Sequence, residues 1–93
     1  MTILKTKDFL DTLKEILFSI AQDKKSAAVE FNQELNKKID NLKDFPFMCR
    51  VSIYFDDNNI RDLIYKGYVI PYEVNLETKT ITIIGITKYK NSL

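Results

Sequence analysis

Apolar residues return at helical intervals along the first half of the chain. Phe9, Leu10, Leu13, Ile16, Leu17, Ile20 and Ala21 recur at steps of one, three and four. That spacing draws one wide stripe on a helix lying against a core. Asp8 stands just before the stripe and is expected to cap the helix. Asp23-Lys24-Lys25-Ser26 interrupts the period and ends on a second capping residue type. Ala28, Phe31, Leu35, Ile39 and Leu42 then mark a second helix, whose other face carries Glu30, Glu34, Lys37, Lys38 and Asp40. The short link predicts an antiparallel helical hairpin. A paired-helix coiled coil is the rival arrangement, but each stripe covers too few heptads to require one.

The period changes in the second half. Thr2 to Thr6, ahead of the helices, is rich in β-branched residues and predicts a short strand. Asp44-Phe45-Pro46-Phe47 ends the second helix, because proline disfavours helical geometry in the residue before it. Val51, Ile53 and Phe55 alternate in an extended stretch, and Asp56-Asp57-Asn58-Asn59 reads as a turn. Three strands follow, at about residues 60–66, 68–75 and 80–88. Lys66-Gly67 makes a tight hairpin turn between the first two, with Gly67 free to take positive φ. Residues 76–79 make the next turn.

In the middle strand Tyr68, Ile70, Tyr72 and Val74 share the face assigned to the helices, while Val69, Pro71, Glu73 and Asn75 face the other way. Pro71 cannot donate a ladder hydrogen bond, so either the first meander strand stops short beside it or a bulge sits there. The class is α+β: a short N-terminal strand, an antiparallel helix hairpin, then a three-stranded antiparallel meander forming one sheet packed on the helices.

Ninety-three residues suffice for one domain over 1–93 and are too few for two with separate cores. With 45% hydrophobic residues the chain can fill a core without disulfides or metals. The formal net charge is +1, so the overall balance does not mark a strongly basic nucleic-acid binder. The single cysteine, Cys49, excludes an internal disulfide and fits a reducing compartment. Residues 1–8 carry charges where a signal peptide needs an apolar run. No stretch approaches the ~20 apolar residues of a membrane span. The expected location is the cytoplasm, with no membrane partner.

Much chemistry is excluded. The chain has no histidine, which removes Ser-His-Asp and Cys-His machinery and the usual base near neutral pH. Zinc sites with histidine are excluded too, and one cysteine cannot make a Cys-rich one. Only Gly67 and Gly85 are glycines, so neither a P-loop nor a dinucleotide fingerprint is present. Residues 56–59 resemble a calcium-loop fragment, but Arg61 and Gly67 stand where its glycine and glutamate belong.

What remains are cations and tyrosines of the sheet: Arg50, Arg61, Lys66, Lys88 and Lys90, with Tyr65, Tyr72 and Tyr89. Cations beside aromatics hold a phosphate backbone and stack a base. The plainer reading is that the lysines solubilise a sheet edge and the tyrosines pack with wet hydroxyls.

Strand, helix hairpin and three-stranded meander, in that order, resemble the RelE/ParE superfamily of bacterial toxins. Ala27-Ala28 and Phe31 fall where the second helix of these toxins has its small residue and aromatic. Leu42 with Phe45-Pro46 resembles the helix exit. Residues 60–63 (I-R-D-L) and 67–74 (G-Y-V-I-P-Y-E-V) are similar to the two central strands, and residues 81–90 (I-T-I-I-G-I-T-K-Y-K) to the last strand and its basic tail.

The resemblance implies the toxin of a type II toxin–antitoxin pair of the plasmid-stabilisation kind, held inactive by an antitoxin encoded beside it. RelE-like members cut messenger RNA in the ribosomal A site, and ParE-like members poison DNA gyrase. A shared fold cannot choose between these activities.

Where RelE-like nucleases often carry an arginine in the middle strand, this chain has Val69. Metal-free RNA cleavage needs a base, an acid and cations for the phosphorane charge. The residues available for those roles are Glu73 as base, Tyr89 as acid, and Arg61, Lys88 and Lys90 as cations. Arg50, Lys66, Tyr65 and Tyr72 are the candidates for contact with RNA or a protein partner. No cofactor or metal is implied. A gyrase inhibitor needs a surface and no catalytic groups, and a non-toxic relative would keep only the fold as an interaction module.

Overall fold

The computed structural model describes residues 1–89. In chain order the elements are β1 (Thr2–Lys5), α1 (Lys7–Asp23), α2 (Lys25–Asn41), β2 (Arg50–Val51), β3 (Ile60–Tyr65), β4 (Tyr68–Asn75), β5 (Thr80–Ile83) and β6 (Thr87–Lys88). Both expected helices are present and pack against each other. Only Lys24, extended at φ −154°, separates them.

The caps differ from those expected. Thr6, not Asp8, opens α1: its Oγ1 accepts the Phe9 N–H at 3.1 Å. The same hydroxyl donates to the Ile84 carbonyl at 2.7 Å, which ties the start of the helix to the sheet. Asp8 lies inside the first turn, where a carboxylate complements the helix N-terminus. Ser26 is likewise inside α2, which starts at Lys25 without a side-chain cap.

The apolar stripes meet the sheet as the periodicity requires. Phe9, Leu13, Phe31, Leu35, Ile39 and Leu42 are buried against Leu63, Tyr65, Ile70, Tyr72, Val74, Ile81 and Ile83. Leu10 departs from the stripe and stands 47% exposed, since the stripe is wider than the surface that covers it.

The sheet is larger than the three-stranded meander at its centre. Its strand order is β1-β5-β4-β3-β2, with β6 paired to β4. β1 joins β5 in parallel and β2 joins β3 antiparallel. The first hairpin turn is the expected one, with φ 46° at Lys66 and 81° at Gly67, the positive pair that a two-residue hairpin loop demands. At the second turn the Asn75 side chain accepts from the N–H groups of Glu77 and Thr78. Residues 56–59 turn as expected, with Asp57 Oδ1 accepting the Asn59 N–H at 2.8 Å.

Pro71 is accommodated by its neighbour on the far side. The strand expected over residues 80–88 is split into β5 and β6, and Ile84–Gly85–Ile86 lies between them. β4 pairs Tyr72 with Ile83 and Val69 with Thr87, so Ile70 and Pro71 face three residues instead of two. The bulge sits in the strand opposite Pro71. The Pro71 carbonyl still accepts the Ile84 N–H at 2.9 Å, and its ring nitrogen points towards the same gap, where no ladder bond is needed. No helix among the described residues is long and apolar enough to cross a membrane.

Candidate functional site

Leu63 and Tyr65 of β3 point into the helix-backed core, so alternation turns Ile60, Asp62 and Ile64 to the other face. Arg50 lies directly across from Asp62 and shares that face. Asp62 is only 1% exposed. Its Oδ2 accepts the Ile53 N–H at 3.1 Å and lies 3.6 Å from Arg50 Nη2. Its Oδ1 is buried with no hydrogen-bond partner among the described residues. Arg50, itself half-exposed, holds its guanidinium 5.9 Å from the centre of the Tyr89 ring. Tyr89 is fixed by its own N–H, which donates to the Gly67 carbonyl at 2.7 Å. A buried carboxylate thus anchors a cation, and the cation touches an exposed aromatic at the end of β6. Ile53 and Ile64 are exposed hydrophobics of the same region.

The residues considered for RNA cleavage are not gathered there as a set. Arg61 alternates to the opposite face and is engaged by the preceding loop. Its Nε donates to the Asn58 carbonyl at 3.0 Å and its Nη1 to the Cys49 carbonyl at 3.1 Å. Its guanidinium stacks 4.9 Å from the Phe47 ring centre. Glu73 lines a separate polar depression with Asn59, Asn75 and Glu77. Lys88 pairs with Tyr68, five residues along β4 from Glu73, which is roughly 17 Å at strand rise. Arg61, Glu73 and Lys88 therefore occupy three places. Lys88 and Tyr89 are adjacent and exposed. Lys90 lies outside the described residues.

The other tyrosines serve the core. Tyr72 is fully buried and donates its hydroxyl to the Pro46 carbonyl at 2.8 Å, clamping the exit of α2 onto the sheet. Burial, with the neighbouring Cys49 thiol second, pushes its ionisation well above the ordinary tyrosine value. Tyr65 packs on Phe31 at 5.0 Å and donates to Glu34 Oε2 at 2.7 Å. Burial first, and the Glu34 carboxylate next, push its pKa up to about 12. The Tyr65 hydroxyl in turn holds Glu34 below the usual carboxylate value. Lys66 sits 3.9 Å from the same carboxylate and lies over the Tyr65 ring.

Asp62 was not among the candidates read from the sequence. Its one signal there was a charge in the middle of I-R-D-L, a run otherwise suited to a buried strand. Sequence alone could not tell that this position lies under Arg50 and the Ile53 backbone.

A helix hairpin packed on one face of a mixed sheet, with a cation–aromatic site on the other, is the RelE/ParE class of fold. Residues 3–91 match the family model described as the ParE toxin of the type II toxin–antitoxin system, parDE, and the chain belongs to that family. A solved structure from the chromosomal ParDE TA system of P. aeruginosa superposes with a TM-score of 0.76 at 16% identity, covering 97% of each chain. The isolated E. coli RelE toxin superposes with a TM-score of 0.68 at 14% identity, over 98% of this chain and 86% of that one. No curated protein matches by sequence.

Proposed function

We propose that this chain is a growth-arresting toxin that acts by binding a protein target, DNA gyrase, and is neutralised by a cognate antitoxin in the cytoplasm. The observation that carries the reading is the engagement of Arg61. A nuclease of this fold needs a free cation facing the scissile phosphate, next to a proton carrier. Arg61 instead gives its donors to loop carbonyls on the helix side, while Tyr89 and Glu73 lie elsewhere. What the open face offers is a surface: Arg50, Tyr89, Ile53 and Ile64 combine a cation, an aromatic and aliphatic side chains, the mixture that protein interfaces favour.

Ribosome-dependent cleavage is the second reading, favoured by one feature, the adjacency of Lys88 and Tyr89 to Arg50. The two are separated by pulsed expression in bacteria, with messenger RNA 5′ ends mapped and supercoiling by purified gyrase assayed beside it. Growth arrest, unchanged RNA ends and lost supercoiling support the proposal. New ends inside translated codons would replace it with the nuclease. Absence of arrest would leave a non-toxic interaction module.

A further inference from the structure

The sheet ends on β1, and the outer edge of β1 is open. The inward bonds are clear: the Thr2 N–H donates to the Lys79 carbonyl at 2.9 Å and the Thr6 N–H to the Ile83 carbonyl at 3.1 Å. Alternation along the strand then turns the backbone groups of Ile3 and Lys5 outward, where no described strand meets them. The other free edges, β2 and β6, are two residues long, against four in β1.

A groove of about 570 Å³ runs beside that edge, between residues 1–5 and the Asp40 and Lys43 side chains at the end of α2. A strand added to β1 would lie about 4.8 Å from it, which places it over this groove. Lys5 and Lys43 are exposed and join no ion pair among the described residues. Apart from Lys5, β1 has none of the proline, bulge or charge devices that keep an exposed edge from pairing. Leu4 stands 48% exposed on its outer face.

We infer that β1 is a docking edge for an extended, carboxylate-bearing segment of the antitoxin, which adds to the sheet as a further strand. The inference rests on the neutralisation by an antitoxin proposed above. Main-chain bonds to Ile3 and Lys5 supply the affinity. Alternate side chains of the added segment settle in the groove, where Lys5 and Lys43 select carboxylates.

The test is amide hydrogen exchange on the chain alone and on its complex with the antitoxin co-expressed from the adjacent gene. Ile3 and Lys5 should slow by more than about tenfold in the complex. Lys5→Pro, which removes an outward donor, should weaken the complex by about tenfold or more. If that variant melts early, the exchange result on the unaltered chain decides. A complex in which both amides exchange at their free rates overturns the docking edge but leaves neutralisation standing. Protection that grows with concentration of the chain alone assigns the edge to a second copy and overturns the inference. A folded chain that forms no complex overturns both readings together.

Discussion

Arg61 Nη1 donates to the carbonyl oxygen of Cys49 at 3.1 Å, across the strand junction that closes the loop after α2. The sequence presents Arg61 as a free cation in a central strand. The structure makes it the clasp of a loop that has little regular structure of its own between residues 42 and 59.

Replacing Arg61 with alanine removes two short bonds to loop carbonyls and the stacking on Phe47. At about 1 kcal/mol per net hydrogen bond and a smaller cation–π share, the loss should be about 2 kcal/mol. Urea denaturation measures it. Arg61→Lys should recover little, since an ammonium cannot reach both carbonyls in the fork geometry of a guanidinium.

Asp62→Ala leaves the buried Ile53 N–H without its acceptor and should cost about 1–3 kcal/mol. Arg50→Ala leaves the buried carboxylate without its nearest cation and should also destabilise. Because the two share one contact, the double variant should lose less than the sum, which a double-mutant cycle in denaturant would read. Strict additivity would show that Arg50 and Asp62 are not energetically coupled.

Tyr65 gives the fold an alkaline limit. Its folded pKa is raised to about 12 from an ordinary value of 10.0. The neutral hydroxyl is thus favoured by folding, and its contribution is complete below pH 10. It fades as pH rises through the interval up to about 12. Tyr72, shifted in the same direction, adds to the effect. Tyr65→Phe should flatten part of the alkaline fall in stability, measured by chemical denaturation from pH 8 upwards.

Glu34 has the opposite sign. Its folded pKa is lowered, chiefly by the Tyr65 hydroxyl, so its contribution is present above the unfolded value and is lost as pH falls through the folded one. Tyr65→Phe should therefore also raise the Glu34 pKa, which carboxylate NMR titration follows directly.

Gly67 sits at φ 81° with nothing within 4 Å of where a Cβ would stand. Gly67→Ala should therefore cost only the backbone strain of the left-handed region, about 1 kcal/mol. A much larger loss of thermal stability would mean that the hairpin register itself had shifted.

Much of the scaffold is legible in the residues. Phe9, Leu13, Phe31, Leu35, Ile39 and Leu42 recur at helical period, and Lys66-Gly67 leaves few choices for the turn between two alternating runs. The caps were harder to place. Asp8 and Thr6 are both good capping types, and Thr6 prevails because its hydroxyl also reaches Ile84 in the sheet. That partner lies 78 positions away, and no local pattern contains it.

Sequence by itself determined the helix pair, the central hairpin, the lack of histidine-based chemistry and the likeness to toxins of this fold. These follow from periodicity, turn chemistry and residue type, which are properties of neighbours along the chain. Tertiary structure alone decided that β1 pairs with β5, that the bulge lies opposite Pro71, and that Arg61 is engaged while Arg50 is anchored on Asp62 beside Tyr89. In a sheet, a shift of one residue moves every side chain to the other face. Which cations share a site is therefore set by register between distant strands, and composition carries no record of it.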